Sequence, residues 1–398
     1  MPRFIVAALL VLLFSESTFA EPTVIDGTES KTIATCGKGW LEEINGYRVL
    51  HLKGTPYEMG FQHGTLLRES VRANFDYLIN QKGKTSLVEW KGVKITPAMM
   101  IRIIVEIQRS YVPEKYFEEL KGLADGADMP LGSVELGNFI PELFHCSGFA
   151  LMNSATTDGT LLHGRVLDYA TDWKLQEHAV LIVAEPDGGI PFVNVSYAGF
   201  IGSVTGMNAK HVSIGEMGGG GFGRWAGVPM SFLVREVLEN AGSLEDAINV
   251  FRNNKRTCEY YYVIADGKSN EAVGMEASWD VLEVVKPGTS HELLPTAVKD
   301  CALLSAGERY EELVRRTQAG HGQIDVPKAL SLMDRGVAMK SNLHNVLFAP
   351  KSTKLWVANA APDRQPAADQ PYYYFQLTDL LQRSPGKLAS QPTSVSAK

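Results

Sequence analysis

Apolar residues recur at helical spacing in the first third of the chain and in strand-like runs beyond residue 146. Leu66, Leu67, Val71, Phe75, Leu78 and Ile79 predict a helix running to about residue 81. Thr55 is placed to cap its start and Pro56 occupies a first-turn position where its missing N–H costs nothing. Further helices are expected over 97–110 and 114–124, with a loop over 126–132. A loose stretch rich in Thr, Ser and Gly fills 21–38, and a short strand is expected at 47–52. Residues 21–145 therefore read as a mainly helical segment.

From residue 146 the pattern alternates in hairpins. Residues 147–155 and 161–167 read as strands around the turn residues Thr156 to Thr160, and 178–185 pairs with 190–197 around Pro186-Asp187-Gly188-Gly189. Residues 202–207 pair with 211–217 across Asn208-Ala209-Lys210, and 259–265 with 272–276 around Asp266-Gly267-Lys268. Helices are expected at 229–240 and 243–252, where Ser243 and Asp246 have capping-box spacing, and again at 308–317 and 327–334. A last hairpin joins 346–349 to 355–358, a final strand covers 372–377, and 383–398 reads as a disordered tail. Hairpin groups separated by helix pairs predict two stacked antiparallel sheets faced by helices in an α+β fold, rather than a doubly wound sheet of βαβ units. No repeat or linker divides residues 146–382 from the helical segment as an independent domain.

Composition narrows the partners. The net charge is −7, without a basic block, which argues against a general nucleic-acid binder. Residues 1–20 combine Arg3, an apolar run over 4–14 and small residues up to Ala20, the pattern of a secretory signal peptide rather than a membrane span. Export to a secreted, periplasmic or lysosomal/secretory-lumen location, with no stable membrane insertion, is the expectation. The four cysteines, Cys36, Cys146, Cys258 and Cys301, lack C-x-x-C spacing, and there is no His-Glu-x-x-His motif, so neither a structural metal site nor a zinc hydrolase is expected. The glycine run 218–223 lacks the Gly-Lys-Ser/Thr of a phosphate loop and fits a close-approach loop or lid.

Candidate chemistry centres on Cys146. Arg165 and Asp168 follow 19 and 22 residues later (165 − 146 and 168 − 146), and the intervening hairpin can return both to the cysteine. A thiol near neutral pH needs a group to take its proton. Cleavage between His145 and Cys146 supplies one: a new α-amino group, whose ordinary pKa of about 7.7–8.0 suits the task.

Three stretches resemble the N-terminal-nucleophile (Ntn) hydrolases of the isopenicillin N acyltransferase family. They are Gly54-Thr-Pro-Tyr-Glu-Met-Gly-Phe-Gln-His63-Gly64, Cys146 with Gly164-Arg165-Val-Leu-Asp168-Tyr169, and Gly206-Met207-Asn208-Ala209-Lys210. The resemblance implies a four-layer αββα sandwich, self-cleavage before Cys146, and hydrolysis or transfer at the C–N bond of a small N-acyl amide without a cofactor. It also implies that the two fragments stay associated, that Asp168 holds the new amine and that Arg165 favours the thiolate. The Asn208 amide would stabilise the oxyanion, a donor whose loss typically costs about 2.7–4 kcal/mol. The second Asn that relatives often carry is absent from Thr257-Cys258-Glu259-Tyr260-Tyr261. An ester- or thioester-directed lipid hydrolase, or an inactive secreted binding protein on this scaffold, are the alternatives. Substrate and oligomeric state are not legible.

Overall fold

A computed structural model describes residues 21–84, 88–90, 93–140 and 146–386. The expected signal segment, His145 and the tail beyond 386 fall outside the described residues.

The strand Ala179–Pro186 shows how the layers assemble. Its run Ala-Val-Leu-Ile-Val-Ala is apolar at every position because both faces are covered. Leu181 and Val183 face Val346, Phe348, Leu355 and Val357 of a second sheet, whereas Val180, Ile182 and Ala184 join a core with the helices outside. The same division holds for Tyr47–Gly54, with Val49 turned inward and Leu50 and Leu52 outward. On the far side, Leu162, Leu347 and Trp356 pack against Leu313, Val314 and Leu330 of the helices Glu308–Gly320 and Val326–Ser331. The order is helices, sheet, sheet, helices: a four-layer αββα sandwich.

The larger sheet has ten strands, in the order Leu282–Val285, Glu271–Ser278, Glu259–Asp266, Val212–Gly218, Thr205–Asn208, Phe192–Tyr197, Ala179–Pro186, Tyr47–Gly54, Gly39–Ile44 and Ser30–Cys36. Its neighbours are antiparallel except where Tyr47–Gly54 meets Ala179–Pro186. The seven-stranded sheet runs Val24–Ile25, Tyr372–Gln376, Lys354–Asn359, Asn342–Ala349, Leu162–Asp168, Ser147–Leu151 and Cys301–Leu304.

The opening helix, Pro56–Leu66, begins in a capping box: Thr55 Oγ1 accepts from the Glu58 N–H, and the Glu58 carboxylate accepts from the Thr55 N–H. Its glycines serve packing. Gly60 and Gly64 face Gly122 and Gly126 of the helix Glu114–Ala127, and a Cβ at Gly60 would overlap the Glu119 carbonyl, as one at Gly122 would overlap that of Tyr57. The two backbones therefore lie in direct contact.

The N-terminal segment departs from expectation. Ser30–Cys36 is a strand where a loose stretch is expected, and Gly39–Ile44 is a further strand ahead of the one expected at 47–52, so the described part of 21–145 mixes a sheet edge with helices. The alternation was masked by polar residues placed inside: Glu42 is 4% exposed and accepts from His51 and Arg383. Arg383 also begins the predicted tail, yet it is held by Glu42, and the Gly386 N–H donates to Thr32 Oγ1. The first predicted helix ends at Leu66, resumes as Arg68–Phe75 and closes in a wide π turn over Asp76–Lys82. The predicted loop over 126–132 is shorter: Asp128 turns the chain with φ 52°, and a new helix, Leu131–Asn138, begins after Pro130.

Candidate active site

Cys146 stands immediately before the strand Ser147–Leu151, whose register pairs Ser147 with Val166 and Gly148 with Arg165 of Leu162–Asp168. The hairpin thus brings the start of one strand alongside the end of the other, and the Asp168 backbone hydrogen-bonds the Cys146 sulfur. Cys146 is 5% exposed and borders a cavity of about 550 Å³ between the two sheets. Burial pushes its thiol up to about 11, with the Arg165 guanidinium pulling down and the Glu216 and Asp168 carboxyls pushing up. In this uncut chain the sulfur is therefore a thiol at neutral pH and reacts only if a base removes its proton.

Arg165 is fully buried, with a side chain that crosses the sheet interface. Its Nη1 donates to the Val166 carbonyl, and its Nη2 lies 3.5 Å from Glu216 Oε2. Gly215 makes room for it, since a Cβ there would meet Arg165 Cδ at 2.8 Å. Asp168 is also buried; its Oδ1 accepts from the Met339 N–H at 2.9 Å and its Oδ2 from Arg309 Nη1 at 2.7 Å. Burial raises the Asp168 carboxyl to about 6, against the opposing pull of the Met339 N–H and of Arg309, Arg165 and Arg335.

Two of these groups, Glu216 and Arg309, lie outside the set expected from the sequence. Glu216 lies on Val212–Gly218, its only charged residue in an otherwise buried strand. Arg309 sits in the first turn of the helix Glu308–Gly320, where a cation opposes the helix dipole. It reaches Asp168, donates to Ser147 Oγ at 3.3 Å and borders the same cavity as Cys146. A lone carboxylate in a buried strand and a cation at a helix N-terminus are the signals that point to them.

Asn208 is a correction. Its Nδ2 donates to the Leu238 and Ala241 carbonyls at 3.1 and 2.8 Å, and its Oδ1 accepts from the Lys210 and Val212 N–H groups. Both amide protons are spent on the end of the helix Met230–Asn240, so none remains for an oxyanion. Asn208 ties a hairpin to a helix. His344 is likewise held within the core, between Tyr197 and Thr205. The glycines 218–220 line the cavity, Asn194 donates to the Gly202 carbonyl, and all four cysteines are free thiols. Among the described residues, no group of three or more His, Cys, Asp or Glu residues is placed to hold a metal ion, and no helix is long and apolar enough to cross a membrane.

Residues 155–288 match the family described as acyl-coenzyme A:6-aminopenicillanic acid acyl-transferase. Protein dcd1B of Dictyostelium discoideum is 30% identical over 286 residues, covering 66% of this chain and 56% of that protein. Acid ceramidase of Rattus norvegicus is 27% identical over 192 residues, covering 40% and 46% of the two chains. N-acylethanolamine-hydrolyzing acid amidase of Caenorhabditis elegans is 25% identical over 214 residues, covering 43% and 58%. The solved structure of a Caenorhabditis elegans ortholog of that amidase aligns with a TM-score of 0.43 at 19% identity, over 52% of this chain and 93% of that one. The chain thus spans about half to three fifths of the length of the curated relatives it matches.

Proposed function

We propose, from the premise that this chain belongs to the Ntn hydrolases of the isopenicillin N acyltransferase-like family, that it is an exported, self-processed amidohydrolase acting on small N-acyl amides. The observation that carries the reading is the position of Cys146: a buried thiol at the edge of a large cavity, beside Arg165, Asp168 and Arg309. Residues 1–20 act as the export signal, and cleavage between His145 and Cys146 releases the α-amino group that the thiol lacks.

In the reaction, the freed amine takes the proton of Cys146 while the sulfur attacks the amide carbonyl. The C–N bond of the tetrahedral intermediate then breaks, and the amine returns that proton to the departing nitrogen. Water attacks the resulting thioester with the same amine as base, releasing a carboxylic acid and restoring the thiol. Arg165 favours the thiolate, and Asp168 holds the amine as an ammonium between transfers. Arg309 fixes the Asp168 carboxylate through its 2.7 Å contact. Asn208 has no part in the oxyanion site; backbone N–H groups bordering the cavity take that role.

The test is incubation of the processed protein with a panel of N-acyl amides, recording product masses. The expected result is a free acid and a free amine from at least one amide, abolished by Cys146→Ala and by thiol alkylation. Turnover that survives the loss of this sulfur overturns the proposal.

A further inference from the structure

The cavity beside Cys146 is electrically lopsided. Its reaction end carries Arg309, already paired with Asp168. From there the floor is one cross-strand row of the ten-stranded sheet: Met217 opposite Tyr261, Tyr261 opposite Glu276, and Glu276 opposite Glu283. Met217 lies against Gly148 of the facing sheet, so the row starts opposite the strand that follows the nucleophile. Glu259, two residues before Tyr261 on the same strand face, adds a third carboxylate and accepts from the Tyr261 hydroxyl at 2.5 Å. Like charges directly opposite on paired strands destabilise a sheet. The Glu276 carboxyl registers this repulsion: it is raised by burial first, then by Glu259 and Glu283. Among the described residues lining the cavity, the only basic group at this end is His291, 3.4 Å from Glu283. Val285, Leu294 and Leu304 make the remaining walls apolar.

Three carboxylates facing one histidine in a partly open, mainly apolar cavity are complementary to a cation carried on a hydrocarbon spacer. Resting on the amidohydrolase reading above, we propose that the substrate is an N-acyl amide bearing a positively charged group remote from the scissile bond, bound by Glu259, Glu276 and Glu283. The row also sets a length. Met217 and Glu276 are two strands apart, roughly 10 Å at the usual strand spacing. The spacer between amide and cation is therefore about five to eight carbons, allowing for the reach of the glutamates. The cation lies on the acyl side or on the amine side, and matched substrates separate the two.

The experiment compares ω-aminoalkanoyl anilides with alkanoyl anilides, and N-acyl diaminoalkanes with N-acyl alkylamines, on the processed protein. The expected result is a kcat/KM about tenfold or more higher for the cationic member of one series, equivalent to about 1.4 kcal/mol. That preference weakens with added salt and collapses toward one in Glu259→Gln/Glu276→Gln. If the double variant fails to accumulate, Glu283→Gln, at a half-exposed position, removes part of the preference. The same pairs are titrated calorimetrically against Cys146→Ala. Turnover that depends on Cys146 but shows no cationic preference, or a preference the glutamine variants leave intact, overturns the carboxylate subsite and spares the amidohydrolase reading. Cationic preference in binding without turnover of any amide does the reverse.

Discussion

Asp168→Asn, made in a Cys146→Ala background so that the chain stays uncut, separates the cost of the site from its chemistry. Asp168 is 3% exposed, and its carboxyl ionises at about 6 rather than at its ordinary 3.8. Burial outweighs the contacts with Arg309 and the Met339 N–H, so ionising this group in the folded protein is unfavourable relative to the unfolded chain. Between pH 3.8 and about 6 the folded state holds a proton that the unfolded state has lost, and stability therefore falls as pH rises through that window. At 1.36 kcal/mol per pH unit the loss from this carboxyl is about 3 kcal/mol, complete above pH 6. An asparagine does not titrate. It also forfeits the charge-assisted bond to Arg309, but that cost is a constant offset where the aspartate is ionised and leaves the slope to the carboxyl. Urea unfolding of the two uncut variants at pH 4, 5, 6 and 7 reads the difference directly. The stability gap between them should change by about 2.4 kcal/mol from pH 4 to pH 7 in favour of the asparagine variant, the first part, about 0.6 kcal/mol, having been lost below pH 4. Other raised carboxyls, such as Glu119 at about 7, are present in both and cancel. Parallel pH dependences would refute the reasoning, because Asp168 would then ionise with no net penalty.

Four further substitutions test the placements. Asn208→Ala should destabilise the fold by about 3 kcal/mol, since it strips partners from two carbonyls and two N–H groups, while turnover per folded molecule is retained; a selective loss of kcat with unchanged urea unfolding would restore an oxyanion role. Gly122→Val should cost about 3 kcal/mol or prevent accumulation, because its side chain overlaps the Tyr57 backbone, whereas Gly132→Val, in open space, should leave the thermal midpoint where it is. Arg309→Gln removes the charged partner of Asp168 and should slow substrate turnover by about ten- to a hundredfold, the equivalent of one charge-assisted hydrogen bond, as measured by initial rates at saturating substrate.

The hairpins were legible because their turns carry their own chemistry: Pro186-Asp187-Gly188-Gly189 and Asp266-Gly267-Lys268 sit between strands within one or two residues of the predicted bounds. The start of the helix at Pro56 was equally local, as Thr55 and Glu58 complete the box. What the chain concealed depends on partners distant in sequence. In Gly39–Ile44 the pair Glu42-Glu43 breaks the apolar pattern, and Glu42 is buried only because it meets Arg383 more than 300 residues away. Cys301–Leu304 is a four-residue strand recognisable only once Ser147–Leu151 lies beside it. The nearness of Arg165 and Asp168 to Cys146 follows from one hairpin register, whereas Glu216 and Arg309 arrive from a different sheet and a different layer. Asn208 misled because a turn asparagine and an oxyanion donor are indistinguishable until its two N–H bonds are traced.

Intact-mass measurement and N-terminal sequencing of the purified chain bear most directly on the claim that a freed amine activates the sulfur of Cys146. The account predicts two associated fragments, the second beginning at Cys146, appearing in step with amidase activity, and a single inactive chain for Cys146→Ala. Full activity in a preparation whose bond between residues 145 and 146 is intact would contradict it.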